Sequence, residues 1–282
     1  MPGTILVGID VETADESSAT YAERGLDFLA DLGVRATWYV TGRTLERYPD
    51  RFRRADASGL LDLQAHTYDH LLLKTVLMAV PPGLTIHDRT DFYMERGAAP
   101  DVIDRDLTRC QQVFRDVLGR AARGLTGPWA YYRGLADRPD LLEIVCGHGF
   151  RILRTFGRNE RDGQPVPLEW QPFFYAVQGF PDALEVLIHD YQDDFYFMAF
   201  NGLPDASTYP AHLRRMADRV AAEGLVWSLC SHDHNCRTPD AFRAKTAWLR
   251  DLLGYGKSIG IRFLTATEYY EERLAARRGA TA

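Results

Sequence analysis

TILVGIDVETADESSATYAERGLDFLADLGVRATWYVT, residues 4–41, reads as one strand–helix–strand unit. Thr4–Asp10 is a short β-like run and Arg35–Thr41 a second. Between them Ser17–Leu32 has a helical pattern, and Gly33 is a natural C-terminal stop. The alternation continues along the chain. Strands are expected at Leu60–Ala65, Phe150–Thr155, Leu184–His189, Leu225–Cys230 and Ile261–Leu264. Helices are expected at Asp104–Leu118, Asp137–Cys146, Ser207–Glu223, Asp240–Gly254 and Thr267–Arg277. Repeated β-then-α units imply a parallel sheet, because each crossover needs a helix. So many units favour one domain over residues 1–282, a distorted (β/α) barrel of about seven parallel strands. In such barrels the chemistry gathers where strands end. Two long connections stand out, Leu71–Asp101 as a cap or interface segment and Arg158–Pro172 as a rim loop. Gly124–Tyr132 falls between two helices, where Gly127-Pro128 forces a turn.

Composition narrows the function. The chain has 282 residues, 46% of them hydrophobic, ample for a core without staples. Lys and Arg number 33 against 39 Asp and Glu, a net charge of −6, so a nucleic-acid groove is not expected. No apolar run approaches a membrane span. The N-terminus MPGTILVGIDVET has no basic or long apolar leader, which gives a cytoplasmic protein as the expectation. Cys110, Cys146, Cys230 and Cys236 form no Cys-x-x-Cys pair and are expected to be reduced and buried.

Three strand ends carry ligand-type side chains. The first strand ends in Asp10-Val-Glu12, and either carboxylate there can ligate a metal or take a proton. Capping or a solvated loop is the plainer account of that pair. The third ends in His66-Thr-Tyr-Asp-His70, two imidazoles four residues apart that share a face if the segment turns helically. One buried and one exposed histidine is the alternative. Leu225–Cys230 leads into Ser231-His232-Asp233-His234-Asn-Cys236, which delivers His232 to the mouth as a general acid or base. The competing readings are a structural His232 or His234, or a metal knuckle of Cys230, His232, His234 and Cys236 with uncommon spacing. Pro128, Trp129, Tyr132 and Arg133 are candidates for a substrate wall, with ordinary core aromatics as the alternative for the tyrosines.

This ordered set resembles the NodB homology domain of the polysaccharide deacetylases, carbohydrate esterase family four. The resemblance places Asp10 and Glu12 in the first motif, HTYDH in the second, TGPW in the third and LCSHD in the fifth. It runs from residue 10 to residue 233, and its Asp-x-Glu form looks like the intracellular or imidase/allantoinase-like branch. It implies a NodB-like fold and one divalent metal ion on Glu12, His66 and His70, zinc by default, with Co, Ni, Fe or Mn as alternatives. It also implies Asp10 as the base, His232 as the acid on the leaving amine, and a backbone N–H near Pro128–Trp129 at the oxyanion. Two departures stand out. Thr126 occupies the place of the third-motif arginine, for which Arg133 is a substitute, and the segment Arg154–Asn159 has Arg154 and Arg158 where the fourth motif has an acid.

The expected reaction is removal of an acetyl or formyl group from an N-acyl amino sugar or another small amide. Ring-opening of a cyclic imide or ureide is the rival within hydrolases. A non-catalytic metal-binding protein and an iron oxygenase with the same facial triad are rivals outside it. The apolar run Leu71–Val80 reads equally as a lid or as a contact in a homo-oligomer.

Overall fold

The computed structural model describes residues 2–80, 88–161, 163–193 and 208–280. Its centre is a mainly parallel sheet in the order β10-β1-β2-β3-β6-β7-β9-β8. β1 (Thr4–Val11) pairs in parallel with β10 (Val226–His232) on one side and β2 (Ala36–Val40) on the other. β3 (Leu61–Ala65), β6 (Gly124–Tyr132), β7 (Ile152–Arg158) and β9 (Phe180–Glu185) continue the parallel ladder, and β8 (Phe173–Tyr175) adds an antiparallel edge. β11 (Arg262–Leu264) pairs with the start of β1. The mixed α/β fold and its parallel strands are those expected from the alternating pattern.

The two ends of the sheet approach each other. His189 N–H, just past β9, donates to Ser228 O at 3.0 Å, and Ser228 N–H donates to His189 Nδ1 at 3.0 Å. The Gln171 side chain binds Val226 N and O at 2.9 and 3.0 Å. Among the described residues the ladder does not close, but these contacts bend it towards a barrel.

Every residue of β1 is buried, as a parallel strand covered on both faces requires. Helix α1 (Glu16–Leu32) starts at the N-cap Asp15, whose carboxylate accepts from Ser17 N–H, and stops at Gly33 with φ 58°. Tyr21 of α1 meets Trp38 and Phe242 edge-on at 5.5 and 5.2 Å. Phe242 lies on α7 (Pro239–Ser258), so α1 and α7 pack together beside β2. Short helices α2 (Gly42–Arg47) and α3 (Pro49–Ala57) follow β2, and α4 (Pro100–Leu118) packs on both. Helices α5 (Pro139–Gly147), α6 (Tyr209–Glu223) and α8 (Ala266–Ala280) complete the described helices. None of the described helices is long and apolar enough to cross a membrane.

Two expectations are corrected. Gly124–Tyr132 is a strand, not a helix-to-helix turn. Gly127-Pro128 is accommodated by a register shift between Thr126 and Tyr131, with φ of 64° at Trp129 and 52° at Ala130. A proline inside a strand is tolerated at such a bulge. The strand expected at Leu184–His189 starts earlier and ends at Glu185, because Leu187 and Asp190 turn out of the ladder with φ of 58° and 62°. Within Leu71–Asp101, β4 (Val76–Ala79) and β5 (Phe92–Glu95) form a separate antiparallel pair, and residues 81–87 lie outside the described residues. Ser207, the first residue of the helix expected at Ser207–Glu223, does too.

Candidate active site

Asp10, His66 and His232 stand at the ends of β1, β3 and β10, and parallel pairing aligns those ends. Asp10 is opposite His232 in the β1–β10 register. Glu12 follows β1, and its Oε2 lies 2.7 Å from His66 Nε2 and 3.2 Å from His70 Nε2. The three form a group able to hold a metal ion, with ligand atoms within 4.8 Å of one another.

The histidine pair meets through a turn, not a helix. Thr67 and His70 have φ of 55° and 58°. Asp106 of α4 accepts from Tyr68 N–H at 2.8 Å and Asp69 N–H at 3.0 Å, while Thr67 Oγ1 accepts from Leu71 N–H at 2.9 Å. These bonds hold the backbone where two non-glycine residues are left-handed, a conformation that costs about 1–3 kcal/mol each and persists only when its surroundings impose it. The result sets the His66 and His70 rings 4.8 Å apart, edge to face.

His66 Nδ1 faces Thr126 O at 3.2 Å. A carbonyl only accepts, so the proton sits on Nδ1 and Nε2 turns to Glu12. Such an outer acceptor is the usual way a ligating imidazole is oriented. The close contact of Nε2 with a carboxylate then needs a positive centre, either a second proton or a cation. His234 Nε2 lies 2.8 Å from Glu12 Oε1. Burial pushes the Glu12 pKa up, but the His70 charge and the bonds from His234, His66 and His70 outweigh it and hold the carboxyl well below the usual range. Burial also pulls the His70 pKa down, and Glu12 more than reverses it, leaving it raised. Two imidazoles and an ionised carboxylate, held from outside, fit a divalent ion such as zinc.

Asp10 is 5% exposed and held by one partner above all. Arg154 Nη1 donates to Asp10 Oδ1 at 2.8 Å and to Thr126 Oγ1 at 2.9 Å. Arg154 is buried in β7, its guanidinium 4.7 Å from the Tyr39 ring centroid, and its Nε and Nη2 have no hydrogen-bond partner among the described residues. Burial disfavours its charge, and Asp10 outweighs that, so its pKa is raised. A Cβ on Gly8 would come 3.2 Å from Arg154 Cζ and Nε, so the glycine of TILVGID makes room for the guanidinium. Arg133, the substitute expected for the absent third-motif arginine, is exposed and lies over Tyr132. That expectation is corrected: the arginine on Asp10 comes from the next strand, β7, and Thr126 is its second acceptor.

With Oδ1 engaged, Asp10 Oδ2 faces the site, 3.9 Å from both His66 Nε2 and His232 Nε2. His232 Nδ1 lies 2.7 Å from Asp193 Oδ1, whose other oxygen takes Ser231 Oγ–H at 2.7 Å and Lys245 Nζ at 3.1 Å. Asp193 follows β9, so an acid is present beside His232 although the fourth-motif position holds arginine. His234 is also drawn to Glu12 instead of into a knuckle with Cys236, whose Sγ–H donates to His234 O at 3.5 Å. All four cysteines are buried, and none of them is in a disulfide.

The expected substrate wall is only partly assembled here. Thr126 carries β6 to the cluster, and Pro128 is buried just beyond it. Trp129 stacks on Tyr93 of β5 at 5.1 Å. Tyr132 packs edge-on against Phe156 at 6.3 Å, and neither it nor Arg133 is tied to the acid–imidazole cluster by the contacts above. Beside Glu12 and His70 a polar recess of about 270 Å³ opens, lined also by Thr13, Thr41, Arg43 and Asp69.

The molecule is thus an α/β barrel-like protein with acids and imidazoles gathered where its parallel strands end. Residues 11–138 match the model of the polysaccharide deacetylase family. A protein from Mycobacterium smegmatis described as a polysaccharide deacetylase is 18% identical, over 97% of this chain and 91% of its own, with a TM-score of 0.64. The Puue allantoinase is 15% identical, over 95% and 89%, at 0.61. A protein from Pseudomonas aeruginosa PAO1, also described as a polysaccharide deacetylase, is 14% identical over the same shares, at 0.61. At these identities the likeness is one of fold. No curated protein matches the chain.

Proposed function

We propose that this protein is a metal-dependent amide hydrolase that removes an acetyl or formyl group from an N-acyl amino sugar or related small molecule. The observation that carries the reading is the position of Asp10 Oδ2, 3.9 Å from His66 Nε2 on one side and from His232 Nε2 on the other. A base there stands between a cation-holding group and an imidazole backed by a carboxylate.

Glu12, His66 and His70 would hold the ion, with His234 bearing on Glu12 from the far side. Such an ion polarises an amide carbonyl and acidifies water. Asp10 takes the proton from the attacking water through Oδ2, while Arg154 fixes the carboxylate through Oδ1. Imidazolium His232 gives its Nε2 proton to the departing nitrogen, and Asp193 on Nδ1 orients the ring and balances its charge. The products are a carboxylic acid and an amine. The recess beside Glu12 and His70, with both donors and acceptors on its walls, suits a small polar substrate. The first motif, Asp-x-Glu, and the allantoinase among the neighbours make a cyclic amide the second reading. A cytoplasmic site of action and a homo-oligomer through Leu71–Val80 belong to this proposal as well.

The test is amine release from N-acetyl and N-formyl hexosamines, with ring-opening of cyclic ureides in parallel, by protein loaded with zinc or cobalt. Turnover of an open-chain amide that chelation abolishes and metal restores is the expected result. Turnover of cyclic amides alone would move the assignment to the second reading. Turnover of neither class in any metal form would end it.

A further inference from the structure

Beside the Glu12 group lies a second convergence of ligand-type atoms: Asp10 Oδ2, Cys230 Sγ and His232 Nε2, all on buried residues and within 4.8 Å of one another. Cys230 Sγ is 3.6 Å from Asp10 Oδ2 and 3.9 Å from His232 Nε2, and the two last are 3.9 Å apart. A tetrahedral ion with bonds of about 2.0–2.3 Å spaces its ligands about 3.3–3.7 Å from one another. The Cys230–Asp10 separation falls within that range, and the other two exceed it by a few tenths of an ångström. Both polar partners are steadied from outside. Arg154 takes Asp10 Oδ1, and Asp193 sits on His232 Nδ1, the carboxylate–histidine arrangement that orients a ligating imidazole. A donor set of one oxygen, one sulfur and one nitrogen suits zinc or cobalt and not magnesium or calcium.

We propose that Asp10, Cys230 and His232 form a second, thiolate-bearing site for a zinc-like cation, and that filling it arrests turnover. The arrest rests on the roles proposed for Asp10 and His232; the binding does not. An ion there occupies Oδ2 and Nε2, the two atoms that accept and deliver protons. Cys230 takes no part in those transfers, and its thiol proton passes to solvent when the ion binds. Because His66 Nε2 is only 3.9 Å from Asp10 Oδ2, two ions at once would repel, so this site fills after the first.

Cobalt(II) titration of the full chain tests this, since thiolate ligation to cobalt has its own charge-transfer absorption in the near ultraviolet. The wild type is expected to take two equivalents, the absorption rising only with the second. Cys230→Ala is expected to stop at one equivalent without the absorption. Acid–base catalysis is worth about 10²–10⁴-fold, so the second equivalent should cut wild-type turnover by about tenfold or more and leave Cys230→Ala unaffected. A wild type that stops at one equivalent, or an absorption that persists in Cys230→Ala, overturns the site. Two equivalents with the absorption, in a protein inactive already at one, would support the site while overturning the arrest together with the proposed hydrolysis.

Discussion

Asp10→Asn is expected to keep the metal and lose about 10²–10⁴-fold in kcat, the ordinary worth of a positioned base. The amide retains the shape of the carboxylate and an oxygen for Arg154, so the fold and Glu12, His66 and His70 should be little disturbed. What it lacks is a site for the proton of the attacking water. Steady-state kinetics with metal analysis on the same sample check this. Wild-type kcat in the variant would remove Asp10 as the base, and loss of metal would make it a ligand.

The second large effect is expected at Arg154. Arg154→Met removes the cation on Asp10 Oδ1 and leaves a buried carboxylate uncompensated, which costs about 3–5 kcal/mol of stability. It also frees the carboxylate to turn, and misplacement of a reacting group by about 1 Å costs on the order of 10²-fold in rate. Arg154 is a positioning residue, so kcat should fall while KM and metal content change little. The double variant with Asp10→Asn separates this role from generic packing. Once residue 10 carries no charge, removing the guanidinium should cost less stability than it does alone, by denaturant titration. Additive losses would show that Arg154 serves the core and not Asp10.

Arg154 also marks how far the sequence can be read. The strands of the parallel sheet are legible because strands buried on both faces are short apolar runs between helices, as in TILVGID and ATWYV. β6 is not, because Gly127-Pro128 is a turn signal that the bulge absorbs into a strand. HTYDH is legible as a pair of imidazoles four apart. Its turn is not, since it depends on Asp106, 38 positions from Tyr68 in the chain. An arginine inside the apolar run FRILRT is itself a signal, and it stands out in the sequence. Its partner Asp10 is 144 positions away, however, and only the strand order β1-β2-β3-β6-β7 brings them together. Asp193 is hidden for the same reason, lying past a strand end where an acid usually means solvent. His234 shares that difficulty: its neighbour His232 reads as the functional residue, and only geometry sets His234 against Glu12.

The central proposal is that Glu12, His66 and His70 hold a divalent ion. The direct measurement is elemental analysis of metal-loaded protein after exhaustive dialysis, wild type beside His66→Ala, with circular dichroism on both. About one tightly held equivalent of zinc or a similar ion is expected in the wild type and none in a normally folded His66→Ala. A wild type that retains no metal, or a His66→Ala protein that retains as much as the wild type, would contradict the proposal.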